Sequence, residues 1–358
     1  MEQCPADPVV GGQSKTQWPE LVGKPAQEAV DTIKAQSPGF TVQTIGHDMM
    51  ATTDWRCDRI RIWLDSAGNV SMAPRWPSCR YEALPLHEPA LRRKWRVIAV
   101  DRYGVGQSTF NPQGSFVTWA ADIQHLLDSL HIQQAVMLGM SGGGPYACAC
   151  ARYLPAHSAA LVTVAGMLAT NDPAHADLLQ QMHWMDNLHS HIIDNKLAHN
   201  AVLLASLPIM ALSPYPLKLI GKLPGAVQQL VCRVLTSAGW AEADRQLLLQ
   251  QPQLTWQLLP ELMAQSVAQG AAGWGWDMKL TSSAWSFDPK DIKAPAVLVC
   301  HGTGDVSLPA SMAQRLAQLI PGAQLKLYEG EGHLSLLFRQ AEDILASLAA
   351  ALQRQQQR

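Results

Sequence analysis

Q-A-V-M-L-G-M-S-G-G-G-P-Y-A, residues 134–147, is the stretch on which the fold turns. A-V-M-L at 135–138 is a short apolar run that reads as a buried strand. The second half opens a helix, with Pro145 near its first turn, where a missing N–H is tolerated. Between them lies G-x-S-x-G: Gly139, Met140, Ser141, Gly142 and Gly143. A nucleophilic serine on a tight strand-to-helix turn needs small neighbours, because a side chain at Gly139 or Gly143 would crowd the strained backbone. Alone, the pattern is weak and arises by chance in roughly one chain in ten of this length. A glycine-rich phosphate cradle is the alternative, but no Lys follows as a P-loop requires. The strand before and the helix after favour the nucleophile.

Outward from Ser141 the chain alternates strand-like and helical runs, the pattern of an α/β fold. V-I-A-V (97–100), A-A-L-V-T-V (159–164), A-V-L-V-C (296–300) and Q-L-K-L-Y (324–328) are short, apolar and β-branched, and read as buried parallel strands. Residues 120–130, 145–153 and 309–319 carry helical spacing. From about 168 to 287 no strand is legible, and Leu, Met, Gln and Trp at helical intervals predict a helical insertion. Two strands deliver further candidates. The run ending in H-G-T-G-D-V-S-L-P places Asp305 just past a strand's carboxyl end, and the run ending in Y-E-G-E-G-H places His333 likewise. Ligands and catalytic groups of open α/β sheets gather at that edge. His333 would take the Ser141 proton, and Asp305 would fix its tautomer and stabilise the imidazolium. Glu331 and Asp277 stand as alternative acids.

Of 358 residues, 47% are hydrophobic and 16% charged, and the formal net charge is −2. That balance argues against a nucleic-acid binder, which would carry a basic excess. The longest apolar stretch, 201–212, is broken by Pro208 and too short to span a bilayer. No signal peptide is visible behind Met1, so a cytoplasmic location is the default expectation. Seven cysteines include no C-x-x-C, and Cys148, Cys150, Cys232 and Cys300 read as small buried hydrophobes. His175, His183, His189, His191 and His199 lie within the helical insertion, but no H-E-x-x-H accompanies them and acidic partners are sparse. Neither a metal nor a cofactor is implied.

These motifs together resemble the α/β-hydrolases of the lidded, general serine-hydrolase type, from about Trp76 to Leu352. D-R-Y-G-V-G-Q-S (101–108) resembles the turn after that family's fourth strand and is read as structural, because the third Gly of a dinucleotide fingerprint is missing. G-W-G-W-D-M-K-L-T-S-S-A-W-S-F-D-P-K-D-I (273–292) is similar to the lid-to-core return of one bacterial and plant subgroup. The resemblance implies hydrolysis of a small-molecule ester or amide, with oxyanion donors at the N–H groups of Gly142 and Trp76. One departure stands out. The family has three strands before V-I-A-V-D-R, the third ending in H-G-x-P, whereas this chain has A-P-R-W-P-S-C-R-Y-E-A (73–83) there. In that fold the third strand lies between the fourth and fifth, so its loss predicts a slot inside the sheet. Losing one oxyanion donor costs about two to three orders of magnitude in rate.

The chain changes character near residues 74–80. S-K-T-Q-W-P-E-L-V-G-K-P-A-Q-E-A-V-D-T-I-K (14–34) and T-T-D-W-R-C-D-R-I-R-I-W-L-D (52–65) resemble the potato inhibitor I family of serine-protease inhibitors. The terminal A-P-R (73–75) fits that family's ending. The resemblance implies a small α+β domain and a scissile bond at Thr53–Asp54. Arg59 and Arg61 alternate on the following strand and so share a face. From there they would bond Thr52 and Asp54 and hold the loop rigid. Cys4 and Cys57 match positions that are disulfide-bonded in some members, a bond that persists only in an oxidising compartment. Thr53 is small and β-branched, which predicts weak inhibition or a serine protease that prefers small residues.

The sequence thus predicts an inhibitor-I-like domain at 1–78 and an α/β-hydrolase domain with a helical lid at 79–358. Two functions follow from it. One is a serine hydrolase carrying an inhibitor-like domain. The other is a wound- or defence-type protease inhibitor with a truncated, inert hydrolase portion.

Overall fold

The computed structural model describes residues 25–36, 41–45, 59–63, 80–182, 214–237 and 239–357. The chain divides into two units, Met1–Pro74 and Arg75–Arg358. In the first, helix α1 (Ala26–Gln36) precedes strands β1 (Thr41–Ile45) and β2 (Arg59–Trp63). The strands pair in parallel, from Thr41 opposite Arg59 to Ile45 opposite Trp63. Ala29 and Ile33, four residues apart on α1, are buried, as one face of an amphipathic helix requires. Arg59 and Arg61 occupy alternate positions of β2. Thr52, Thr53, Asp54 and Trp76 lie outside the described residues, as do Cys4, Cys57 and Cys79.

The second unit is built on four parallel strands in the order β3 (Ala135–Met140), β4 (Ser158–Val164), β5 (Val297–Gly302) and β6 (Gln324–Tyr328). Each matches an apolar run read from the sequence, and α/β with a parallel sheet is the observed class. Both faces are covered over β4 and β5, which is why those strands are buried almost throughout, whereas edge strand β6 carries Gln324 and Lys326 and is largely exposed. On one face Leu161, Val297 and Val299 pack with helices α3 (Phe116–Ser129), α4 (Gly143–Tyr153) and α11 (Ala310–Leu319). On the other, Ala160, Val162, Val164, Leu298 and Cys300 pack with α2 (Leu84–Arg92) and α12 (His333–Gln356). Side chains alternating with a period of two feed both layers. Ser115 caps α3 through a reciprocal box with Thr118. Cys148, Cys150, Cys232 and Cys300 are free and buried. Burial pushes the thiols of Cys150 and Cys300 up to about 12, so they behave as inert core residues.

Between β4 and β5 the chain makes the predicted helical insertion. Its described elements are α5 (Ala176–Leu179), α6 (Pro214–Ile220), α7 (Gly225–Leu235), α8 (Glu242–Gln250), α9 (Leu259–Ser266) and α10 (Ala271–Ser282), with no strand among the described residues. Cys232, Leu247, Leu248, Leu254, Trp256 and Leu262 form its own core, which packs against Leu334 and Phe338 of α12. No described helix is long and apolar enough to cross a membrane. The apolar stretch 201–212 lies outside the described residues.

One predicted strand is absent. V-I-A-V (97–100) joins no ladder, and Val97, Ile98 and Val100 are each more than a third exposed. The reason is the neighbour. On β3 the N–H of Ala135 and that of Ser141, just beyond the strand, reach the carbonyls of His157, immediately before β4, and of Val164 at its end. By strand alternation Val136, Leu138 and Met140 therefore turn their backbone groups to the opposite flank. No backbone hydrogen bond among the described residues joins that flank to 95–100. Instead a cavity of about 650 Å³ lies there, lined by Ile98, Val100, Val136, Leu138, Trp119 and Leu345 among others. An apolar run cannot form a strand without a partner to accept its ladder. The slot is where the missing third strand was expected to leave one.

Candidate active site

Ser141 sits on the turn between β3 and α4 with φ +51°, in the left-handed region that β-carbon-bearing residues avoid. Its neighbours hold it there. Ser141 N–H donates to Val164 O at 2.9 Å, and its carbonyl accepts from Gly144 N–H at 2.9 Å and Met167 N–H at 3.1 Å. A β-carbon at Gly139 would lie 2.1 Å from the Gly143 carbonyl oxygen, so that position admits only glycine. The expectation for Gly143 is corrected: a β-carbon there meets nothing closer than Arg102 Nη1 at 3.6 Å. Gly143 already begins α4 and points away from the turn's tight inner side. Gly142 stands at the head of α4, beside Thr281 of α10.

Asp305 follows β5 and His333 opens α12, as the sequence reading placed them. Their loops interlock through close backbone approach. Gly304 N–H donates to the Glu331 carbonyl at 2.9 Å, and a β-carbon at Gly302 would lie 2.2 Å from that same oxygen. The approach brings Asp305 Oδ2 to 2.7 Å from His333 Nδ1 and His333 Nε2 to 3.0 Å from Ser141 Oγ. A carboxylate only accepts, so Nδ1 carries the proton and Nε2 presents its lone pair to the serine. Asp305 Oδ1 accepts from the N–H groups of Ser307 and Leu308 at 2.9 and 3.0 Å. Burial alone would raise the Asp305 carboxyl, but His333 and His301 outweigh it and hold it well below the usual carboxylate range. Burial likewise opposes a charged His333, yet Asp305, Asp244 and Glu82 raise its value above that of an ordinary histidine.

The two alternative acids are engaged elsewhere. Asp277 Oδ1 pairs with Arg102 Nε at 2.9 Å and accepts from the buried Tyr146 hydroxyl at 2.7 Å. Glu331 accepts from Gln340 at 2.8 Å and stands 3.8 Å from Arg339. The turn at 101–108 is locally self-bonded: Gln107 N–H donates to Asp101 Oδ2 and Ser108 Oγ to the Asp101 carbonyl. His175 turns Nδ1 to the Ala169 carbonyl at 3.2 Å; the other lid histidines named above lie outside the described residues.

Sequence reasoning missed two supporting residues. His301 is fully buried, donates Nε2–H to the Leu308 carbonyl at 2.9 Å and lies 3.4 Å from Asp305 Oδ2. Its place four residues before Asp305 in H-G-T-G-D was the available signal. Asp244, from lid helix α8, accepts from the N–H groups of His333, Leu334 and Ser335. No local motif marks it. The cavity described above includes Met140 and Gly143 in its lining but not Ser141, so it belongs to the open sheet flank rather than to the serine hydroxyl.

Comparison with known proteins accounts for both units. The alpha/beta hydrolase fold family matches residues 80–340, and the potato inhibitor I family matches residues 10–76. Over 60 residues the chain is 37% identical to subtilisin inhibitor CLSI-I of Canavalia lineata, covering 17% of this chain and 91% of that protein. It is 36% identical over 61 residues to subtilisin inhibitor 1 of Phaseolus angularis, covering 17% of this chain but 66% of the relative, a little under two thirds of its length. Among solved structures, the bromoperoxidase from Bacillus anthracis superposes with a TM-score of 0.52 at 18% identity, over 76% of this chain and 88% of that one. That likeness speaks to the fold alone. The chain therefore belongs to the alpha/beta hydrolase fold family over residues 80–340, and its N-terminal portion to the potato inhibitor I family.

Proposed function

We propose that this protein is a serine hydrolase that cleaves an ester- or amide-type bond of a small molecule through an acyl-enzyme on Ser141. The observation that carries this reading is the continuous chain Ser141 Oγ, His333 Nε2, His333 Nδ1, Asp305 Oδ2, with contacts of 3.0 and 2.7 Å. His333 takes the Ser141 proton as Oγ attacks the substrate carbonyl, and returns it to the leaving group as the tetrahedral adduct collapses. Water then repeats the sequence and releases the acid. Asp305 keeps the imidazole in the productive tautomer and balances its charge. The Gly142 N–H, and in this reading that of Trp76, receive the oxyanion. The test is turnover of p-nitrophenyl esters of short acids. Wild type is expected to hydrolyse them, and Ser141→Ala to lose at least about three orders of magnitude in kcat/KM. Equal rates would end the proposal.

In this reading residues 1–78 form a protease-inhibitor domain and 79–358 the hydrolase. The reactive bond is Thr53–Asp54, braced by Arg59 and Arg61 through Thr52 and Asp54, and the target is a serine protease with a small primary pocket. A second reading is favoured by the open flank of β3 and by 97–100 lying outside the sheet: a protease inhibitor with an inert hydrolase portion. It expects inhibition of a subtilisin- or elastase-like protease that Arg59→Ala abolishes, with no esterase activity at all. Activity lost in Ser141→Ala removes it.

A further inference from the structure

The start of α12 is held by a residue from the lid. Asp244 lies in the first turn of α8, is 3% exposed, and has both carboxylate oxygens committed. Oδ2 accepts from His333 N–H at 2.9 Å, and Oδ1 from Leu334 N–H at 3.1 Å and Ser335 N–H at 2.7 Å. These are three of the N–H groups that a helix cannot satisfy within itself. A carboxylate is the acceptor best suited to them, by hydrogen bonding and by the positive end of the helix dipole. α12 does not cap its own start in the usual way, because residue 332 is Gly and brings no side-chain acceptor. That glycine is required by the lid: a β-carbon on Gly332 would lie 2.5 Å from the Asp244 carboxylate. Leu247 and Leu248 on the same helix pack in the cluster that includes Leu334 and Phe338, so the contact is anchored by apolar burial as well.

We propose that Asp244 is the positioning residue for His333: by capping α12 from the lid it sets the imidazole against Ser141, and it ties the alignment of the site to the seating of the lid. This rests on the hydrolase reading above for its effect on rate, but not for its effect on His333. The acidic groups that act on the imidazole are Asp305, Asp244 and Glu82, with the Ser141 hydroxyl as its neutral partner. Removing the Asp244 charge takes away one group that favours the imidazolium, so the His333 titration midpoint moves to lower pH.

The experiment is Asp244→Asn in the full chain, read in two ways. Histidine NMR titration of wild type and variant gives the His333 midpoint. The rate of Ser141 modification by a fluorophosphonate across pH gives the functional one. D244N is expected to lower both midpoints and to slow the plateau modification rate by about 10- to 100-fold, because the imidazole is misplaced. A capping role without a positioning one would lower thermal stability and, through the lost charge, the midpoint, while leaving the plateau modification rate unchanged, and that result overturns the proposal. If D244N does not fold, Gly332→Ala, which keeps the carboxylate but displaces it, is judged by the same two criteria. If wild type is not modified, the hydrolase reading fails, and the NMR signal of the His333 Nδ1 proton held by Asp305 decides this one: it is expected to be lost in D244N, and its survival unchanged overturns the proposal.

Discussion

Along β3 the two flanks differ. The N–H groups of Ala135 and, at the strand's end, Ser141 donate to His157 and Val164 at 2.7 and 2.9 Å. On its other flank β3 has no partner strand among the described residues, and a cavity of about 650 Å³ runs along it, lined by the strand from Ala135 to Met140. Ser141 directly follows β3, Asp305 follows β5 and His333 follows β6, all strands of the paired sheet. The flank where the family places its third strand and its His-Gly oxyanion loop carries no strand among the described residues. The comparison teaches that a triad's geometry is set by the strands that carry it and by the loops between them. It does not require the sheet to be complete on its other side. In the proposed reading, that flank bears on the second oxyanion donor, which acts on rate and not on the Ser141–His333–Asp305 spacing.

The largest effect that separates the flanks is chemical. Asp305→Asn frees the imidazole to place its proton on Nε2, facing Ser141, and is expected to reduce turnover by about four orders of magnitude. Ile98→Ser, on the open flank, is expected to change turnover by less than about twofold. Similar losses from both would show that the open flank takes part in the chemistry. Backbone hydrogen exchange comes next. Within one strand, the N–H groups of Met137 and Gly139 are expected to exchange at least about 100-fold more slowly than those of Val136, Leu138 and Met140. Uniform protection along β3 would mean that the slot is filled by another strand, and would break the comparison at its root. The smallest effect lies at the elbow. Gly139→Ala drives a β-carbon into the Gly143 carbonyl and is expected to cost about 3 kcal/mol, whereas Gly143→Ala gains helix propensity at the start of α4 and stays within about 1 kcal/mol of wild type. Chemical denaturation of both variants reads the difference.

Much of this was legible in the residues. Four apolar runs became strands because each had a neighbour in the same sheet, and Ser141, Asp305 and His333 could be singled out as candidates because each follows such a strand on schedule. V-I-A-V at 97–100 has the same composition and failed. Local hydrophobicity records what a segment could bury, not whether a partner strand exists to bury it against. Gly143 was misread for a related reason: the motif says which positions are small, while only the backbone path shows which of them is crowded. Asp244 could not be found at all, because the groups it serves are 89 to 91 residues away and its partner signal was a glycine. Asp277 looked available as an acid in sequence, and only the packing of Arg102 and Tyr146 around it removes it from His333.

The central claim is that a reactive serine is assembled on the paired flank despite the open one. Intact-mass spectrometry after treatment with a fluorophosphonate tests it most directly. One adduct per chain is expected, mapped to the peptide containing Ser141, absent in Ser141→Ala and strongly slowed in His333→Ala. An unmodified wild-type chain, or an adduct that survives Ser141→Ala, would contradict the account.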